Sequence, residues 1–299
     1  MRPTLLFIPS FLLPLYRMVQ QFPLPKVPCC LGGMRQRANY LALHYWDGVD
    51  MTDVKTLTDR EDVMEQGFSE FISILPYANN TKEAFRRLYA NASACQQAFR
   101  FFVHLAKKYL AEAQSPFYDE EMYRVALLGV LHQSENPLCS KNIDELLGVA
   151  QRKRLEFRTK LLGKNRVGQV ANDFTYQTQT AQTAQLFSRQ REYTLICFYD
   201  PECASSVNVL DQMADSKIIA SHVESCRLDV LCVNVEGDTP TWRERQLPEG
   251  WIDACDDNYS ITANLLYDLS DLPALYLLDD EKVVLLKNAT VKQIESLLP

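Results

Sequence analysis

The stretch LICFYDPECASSVNVL, Leu195 to Leu210, reads as a strand that runs into a reactive-cysteine turn and then into a helix. Dithiol redox chemistry at such a turn uses two cysteines in the spacing C-x-x-C, because the second sulfur resolves the mixed disulfide formed on the first. This chain carries Cys203-Ala204-Ser205-Ser206, and no C-x-x-C occurs among its nine cysteines. The count is odd, which implies no dense disulfide framework. Cys95, Cys139, Cys197 and Cys232 sit in apolar or helical contexts, where a free thiol behaves as a small hydrophobe.

Other chemistries leave little trace. Structural zinc needs paired Cys or His ligands at short spacing, and the four histidines stand apart from the cysteines. His104 and His132 lie on apolar helical stretches and read as structural or surface residues. The acidic strings YDEEMY and DACDDNYS lack EF-hand spacing and read as solvated loops. The 10 glycines form no G-x-G-x-x-G loop, and neither G-x-S-x-G nor H-E-x-x-H occurs. No cofactor and no metal is therefore expected. A net charge of -7 argues against a nucleic-acid surface, which needs clustered Lys and Arg. The one basic run, Gln151 to Arg166, carries Leu155, Phe157, Leu161 and Leu162 at helical intervals and reads as the solvated face of a helix.

Two regions must position the turn. From Arg35 to Leu162 the periodicity is helical. Val63, Phe68, Phe71, Ile72 and Leu75 recur after a Thr58/Glu61 capping pair, and Pro76 ends that run. Phe85, Tyr89, Phe99, Phe102 and Tyr109 form an aromatic stripe. Ser115-Pro116 and Asn136-Pro137 break the chain before further helices, the last from about residue 143 to 162. Five or six short-connected helices make a bundle or stack. After GKNRVG the pattern changes to strand DFTYQ, buried strand EYTLICFYD, an amphipathic helix over ASSVNVLDQMADSKIIASHV, and buried strand CRLDVLCVNVEG. A short helix at PTWRERQ, a hairpin in PALYLLDDEKVVLLK turning at residues 279–281, and a capped helix TVKQIESLL follow. Trp242 and Trp251 are expected to pack the domain edge. The whole predicts an α/β sandwich around a mixed sheet, preceded by an all-α domain.

The N-terminus, MRPTLLFIPSFLLPLY, pairs a basic residue with an apolar run from Leu5 to Tyr16 that Pro9 and Pro14 interrupt. It is too short to span a bilayer and has the size of a secretory h-region, but no small-x-small cleavage site follows. Cys29 and Cys30 follow a poor lipidation box. An export or anchor signal, or a disordered leader, are the readings for residues 1–33. The expected domains are this leader, a helical domain over 34–162 and an α/β domain over 163–299.

Several strings resemble the thioredoxin-like fold of the TlpA/ResA type. VGQVANDFTYQ is similar to that family's entry segment, YTLICFYDPEC to its cysteine-bearing strand, and DLPALYLLDDEKVVL to the strand that begins at a cis-proline. The helical region, with YLALHYWDGVDM its most recognisable string, resembles the domain of unknown function that precedes such modules in many Bacteroidota exported proteins. The resemblance implies that Cys203 is the nucleophile, with a thiolate favoured at a helix N-terminus. It implies that Ser206 stands at the resolving position and Pro273 at the cis-proline that presents backbone to a bound peptide. Asp200 and Glu202 oppose the thiolate by charge. Cys197, where the family often buries an acid, is a packed strand cysteine or a substitute resolving thiol. The expected function is that of a non-dithiol peptide- or partner-binding envelope protein. The alternative is a monothiol redox protein, exchanging or isomerising disulfides through Cys203. The expected partner is a protein or peptide thiol or disulfide. The expected location is the periplasm or cell envelope, with membrane association through the leader, or alternatively the cytoplasm.

Overall fold

A computed structural model describes residues 22–53, 61–133 and 142–298. Thr58, Asn136-Pro137, Cys139 and the apolar run of the leader lie outside the described residues. The chain divides into two compact units, Met1–Thr159 and Lys160–Pro299. Among the described residues, no helix is long and apolar enough to cross a membrane.

The first unit is helical: α1 (Met34–His44), α2 (Glu61–Ile74), α3 (Thr81–Ala92), α4 (Gln96–Leu110), α5 (Glu120–His132), α6 (Ile143–Leu147) and α7 (Val149–Leu162), whose last residues pass into the second unit. Amphipathic periodicity explains its core: Phe68, Phe71, Phe85, Tyr89, Phe99 and Phe102 are all fully buried. Their rings meet at edges and tilts, as Trp46 does over Phe102 at 4.8 Å and 72°. Asp119 caps α5 by accepting from the Met122 N–H, and the break at Ser115-Pro116 precedes it.

Two expectations for this unit are corrected. The leader was set outside the fold up to residue 33, yet Phe22 is only 8% exposed. Its ring lies 5.2 Å from Tyr45 and 5.4 Å from Trp46. Gly67 makes room for it, since a Cβ there would lie 2.6 Å from the Phe22 ring. The single helix expected from 143 to 162 is two, because Gly148 adopts φ +89° and separates α6 from α7. Glycine is the residue that holds such a backbone without a Cβ clash.

The second unit is a seven-stranded mixed sheet flanked by helices. In chain order its elements are β1 (Thr175–Thr178), β2 (Thr183–Gln185), β3 (Tyr193–Tyr199), α8 (Ala204–Ala214), α9 (Lys217–Glu224), β4 (Leu228–Asn234), α10 (Pro240–Glu244), β5 (Ile252–Cys255), α11 (Ser260–Ala263), β6 (Ala274–Leu278), β7 (Val284–Lys287) and α12 (Val291–Leu297). The strand order is β2-β1-β5-β4-β3-β6-β7. Strand β3 runs parallel to β4, and β4 to β5, whereas β6 is antiparallel to β3. Strand β3 is an interior strand, between β4 and β6, and is buried on both faces. Ile196 and Phe198 pack with Phe174, Tyr267 and Tyr276 on one side, while Leu195, Cys197 and Tyr199 pack with Leu210, Met213 and Trp242 on the other. That is why its sequence is a continuous apolar run rather than an alternation.

The helix expected over residues 204–223 is two helices. Ser216 caps the second, accepting from the Ile219 N–H, and donates its hydroxyl to Glu295 Oε1 at 2.6 Å. A serine side chain that bonds a following backbone N–H competes with helix continuation, so the chain restarts there.

Candidate thiol site

Strand β3 ends at Tyr199, and the next four residues form the turn. Asp200 Oδ1 accepts from the Glu202 N–H at 2.8 Å, and the Asp200 carbonyl accepts from the Cys203 N–H at 3.2 Å. These local bonds fold the turn back, so that Cys203 becomes the N-cap residue of α8 with φ -86° and ψ 119°. Its carbonyl accepts the first helical bond, from Val207 N. Cys203 is partly exposed and is a free thiol.

Opposite the turn, the register pairs Phe198 with Ala274 and so brings the start of β6 beside the end of β3. The Leu272–Pro273 peptide bond, just before β6, is cis. Ser205 joins the two segments: its Oγ lies 3.0 Å from Cys203 Sγ and donates to the Leu272 carbonyl at 3.2 Å. Cys203 and Pro273 are thus gathered at one place through a residue the sequence reading passed over. Ser206 takes a different part. It is fully buried, and its Oγ accepts from the Asp200 N–H at 3.3 Å, bracing the turn from below.

The thiol of Cys203 is held below its ordinary value. The hydrogen bond from the Ser205 side chain is the largest cause, followed by the backbone N–H groups of Ser206 and Ser205. The flanking acids, expected to oppose the thiolate by charge, are not among the causes of this shift. Their oxygens are engaged elsewhere: Asp200 with the Glu202 N–H, and Glu202 Oε1 with the Thr241 hydroxyl at 3.1 Å.

Cys197 is fully buried in mid-strand and pairs in register with Cys232 on β4, the thiol it neighbours. Both are free thiols, and burial pushes Cys232 well above the ordinary range. The packed-cysteine reading of Cys197 therefore fits, and the substitute-thiol reading does not. The register carries this row one strand further, to Asp253 on β5. Asp253 Oδ1 accepts from Trp242 Nε1 at 2.7 Å and from the Tyr199 hydroxyl at 3.1 Å, and Oδ2 accepts from Gln179 Nε2 at 2.7 Å. Burial nonetheless raises its carboxyl above the usual carboxylate range. A half-buried acid does stand in this layer, two strands from the position where the resemblance places one. Nothing in DACDDNYS signalled it, because β5 is four residues long and interrupted by this polar side chain. Trp242, expected at the edge, is 1% exposed and serves as a donor to this acid.

The comparisons with known proteins agree with this architecture. The family model described as "Domain of unknown function (DUF5106)" matches residues 12–165. A thioredoxin-like protein from Bacteroides caccae ATCC 43185, known from its crystal structure, is 30% identical and superposes with a TM-score of 0.78. The match covers 93% of this chain and 98% of that one. The chain belongs to the DUF5106 family and is a thioredoxin-like protein. The C-terminal domain of an uncharacterized protein from Bacteroides fragilis NCTC 9343 is 31% identical over 46% of this chain and 99% of that one, with a TM-score of 0.44. A domain of a possible thiol-disulfide isomerase from Cytophaga hutchinsonii ATCC 33406 is 20% identical over 46% of this chain and 92% of that one, with a TM-score of 0.38. No curated protein matches the chain.

Proposed function

We propose that the thioredoxin-like unit is a single-cysteine thiol-exchange module that engages a protein or peptide partner at the Cys203 turn. The observation that carries this reading is the donor set at Cys203 Sγ: a serine hydroxyl at 3.0 Å and the helix-start N–H groups of Ser205 and Ser206, which favour the thiolate of an exposed sulfur. In the reaction, the Cys203 thiolate attacks one sulfur of the partner's disulfide. A Cys203–partner S–S bond forms as the partner's own S–S bond breaks, and the electron pair leaves on the second partner sulfur, which takes a proton from water. A separate thiol from solution then attacks the mixed disulfide. It forms its own S–S bond to the partner and returns Cys203 as a thiolate. Ser206 cannot supply that second sulfur, so no internal disulfide closes the cycle.

Incubation with a glutathionylated peptide tests this directly. Mass spectrometry is expected to find glutathione on Cys203 and on no buried cysteine, with release on adding free thiol. Insulin reduction, which requires a dithiol, is expected at the level of a Cys203→Ser control. Turnover of insulin by the wild type, or a Cys203 that stays unmodified, overturns the exchange reading. The second reading is a binding module without chemistry, and the fully buried Ser206 favours it, since it makes the resolving position part of the scaffold. Capture of a partner that persists in Cys203→Ala would select it.

A further inference from the structure

We propose that Ser205 is the positioning residue of this site, and that its one hydroxyl proton is shared between Cys203 Sγ and the Leu272 carbonyl, so that ionising the thiol releases the turn from that carbonyl. The inference rests on the thiol-exchange reading above.

The distances define the geometry: 3.0 Å from Ser205 Oγ to Sγ and 3.2 Å from Oγ to the Leu272 oxygen. A serine hydroxyl has one proton to donate and lone pairs to accept with. A carbonyl can only accept. With Cys203 protonated, the S–H donates to Oγ and the O–H donates to Leu272, which satisfies every group in the chain. A thiolate has no proton and can only accept. When the Cys203 proton leaves to water, the Ser205 O–H turns to Sγ, where a bond to a charged acceptor is the stronger one. Leu272 O then loses the donor that Ser205 supplied. Its residue precedes β6 and is only half-buried, so water or an incoming N–H can replace that donor.

The other donors cannot act in this way. The N–H groups of Ser205 and Ser206 are fixed by the helix, and the buried Ser206 hydroxyl, the smallest contributor at the sulfur, meets the Asp200 N–H rather than the Leu272 carbonyl. The charged groups at the turn are Asp200 and Glu202 on the turn itself, with exposed Asp271 beside Leu272 on the facing segment. Asp200 and Glu202 have partners of their own, the Glu202 N–H and Thr241. Ser205 carries the hydroxyl that reaches both the sulfur and the facing segment.

The test is the pH profile of Cys203 alkylation in the full chain, read peptide by peptide, for wild type, S205A, S205T and S206A. The wild-type midpoint is expected below the free-thiol value of about 8.5. S205A is expected to raise it, with about a tenfold loss of thiolate below the midpoint for each unit of upward shift. S205T, which keeps the hydroxyl, is expected to restore it. S206A is expected to lower thermal stability and to move the midpoint less than S205A does. The carbonyl 13C resonance of Leu272 is expected to titrate at the Cys203 midpoint in wild type and to stay flat in S205A, a signature that a purely structural serine would not give. A wild-type midpoint at the ordinary thiol value overturns the exchange reading and this inference together. A low wild-type midpoint that S205A leaves unchanged overturns this inference alone.

Discussion

Tyr199→Phe isolates one hydrogen bond of the half-buried acid with almost no change of volume. The Tyr199 hydroxyl gives Asp253 Oδ1 a bond of 3.1 Å, and the same carboxylate keeps Trp242 Nε1 and Gln179 Nε2 as donors in the variant. A bond to a charged acceptor contributes about 1.5–3 kcal/mol and one to a neutral acceptor about 0.5–1.5 kcal/mol. Two donors remain and Asp253 is only half-buried, so the low end applies: about 1.5 kcal/mol near neutrality, falling to about 0.5 kcal/mol where the carboxyl is protonated. The sign of the pH dependence follows from linkage. Burial raises the folded-state pKa of Asp253 above its unfolded value, so the stability tied to its protonated form is complete below the unfolded value and is lost as pH rises through the folded one. Removing a donor to the ionised form raises the folded value further, and the variant loses more than the wild type over the same window. Urea unfolding at about pH 3 and about pH 7.5, on either side of the carboxylate range, reads both quantities. A destabilisation equal at the two pH values, or below about 0.3 kcal/mol at the higher one, would refute this account of the cluster.

Three further perturbations test the scaffold. Phe22→Ala should destabilise the helical unit by about 3 kcal/mol, the usual cost of emptying a buried aromatic site, and an unaltered denaturation midpoint would return residues 22–33 to the leader. Gly148→Ala forces a Cβ into φ +89° and should cost about 1–2 kcal/mol, read by thermal unfolding, unless the α6–α7 break is absent. Lys282 is buried, donates to Thr194 Oγ1 at 3.3 Å, and has its amine pKa lowered by that burial. The wild type therefore gains stability as pH rises from the folded value toward the unfolded one, and Lys282→Met should be best relative to wild type near neutrality and lose that advantage toward about pH 10. A constant difference across that range would contradict the burial of the charge.

Much of this architecture was legible because particular segments state their environment. LICFY must be buried on both faces, since nothing in it alternates, and the structure gives it an interior position with parallel β4 beside it. Aromatics at helical spacing mark the first unit for the same reason. What stayed hidden depends on contacts distant in sequence. Strands β2 and β5 are three and four residues long, and their place in the sheet follows from pairing with β1 and β4 rather than from their own pattern. Phe22 is visible as core only once Gly67 is seen to make room for it.

At the candidate site the resemblance singles out Cys203, Ser206 and Pro273, and the structure places Cys203 at the N-cap of α8, Ser206 buried beneath the turn and Pro273 just before β6. The sequence shows the charges that oppose the thiolate and hides the aligned donors that favour it, and the reason is directional. Counting Asp200 and Glu202 beside Cys203 treats their charges as points. Each carboxylate accepts its hydrogen bond from another donor, whereas the hydroxyl and N–H groups of the Ser205-Ser206 pair point at the sulfur. Hydrogen bonds act over about 3 Å and reward alignment, while the repulsion of carboxylates near solvent is weakened by water. At Cys203 the aligned donors set the direction of the shift. The acids then serve the backbone: Asp200 holds the turn through the Glu202 N–H, and Glu202 ties it to Thr241 at the start of α10. Under the proposed exchange reading, the turn would work through one sulfur and the hydroxyl 3.0 Å from it.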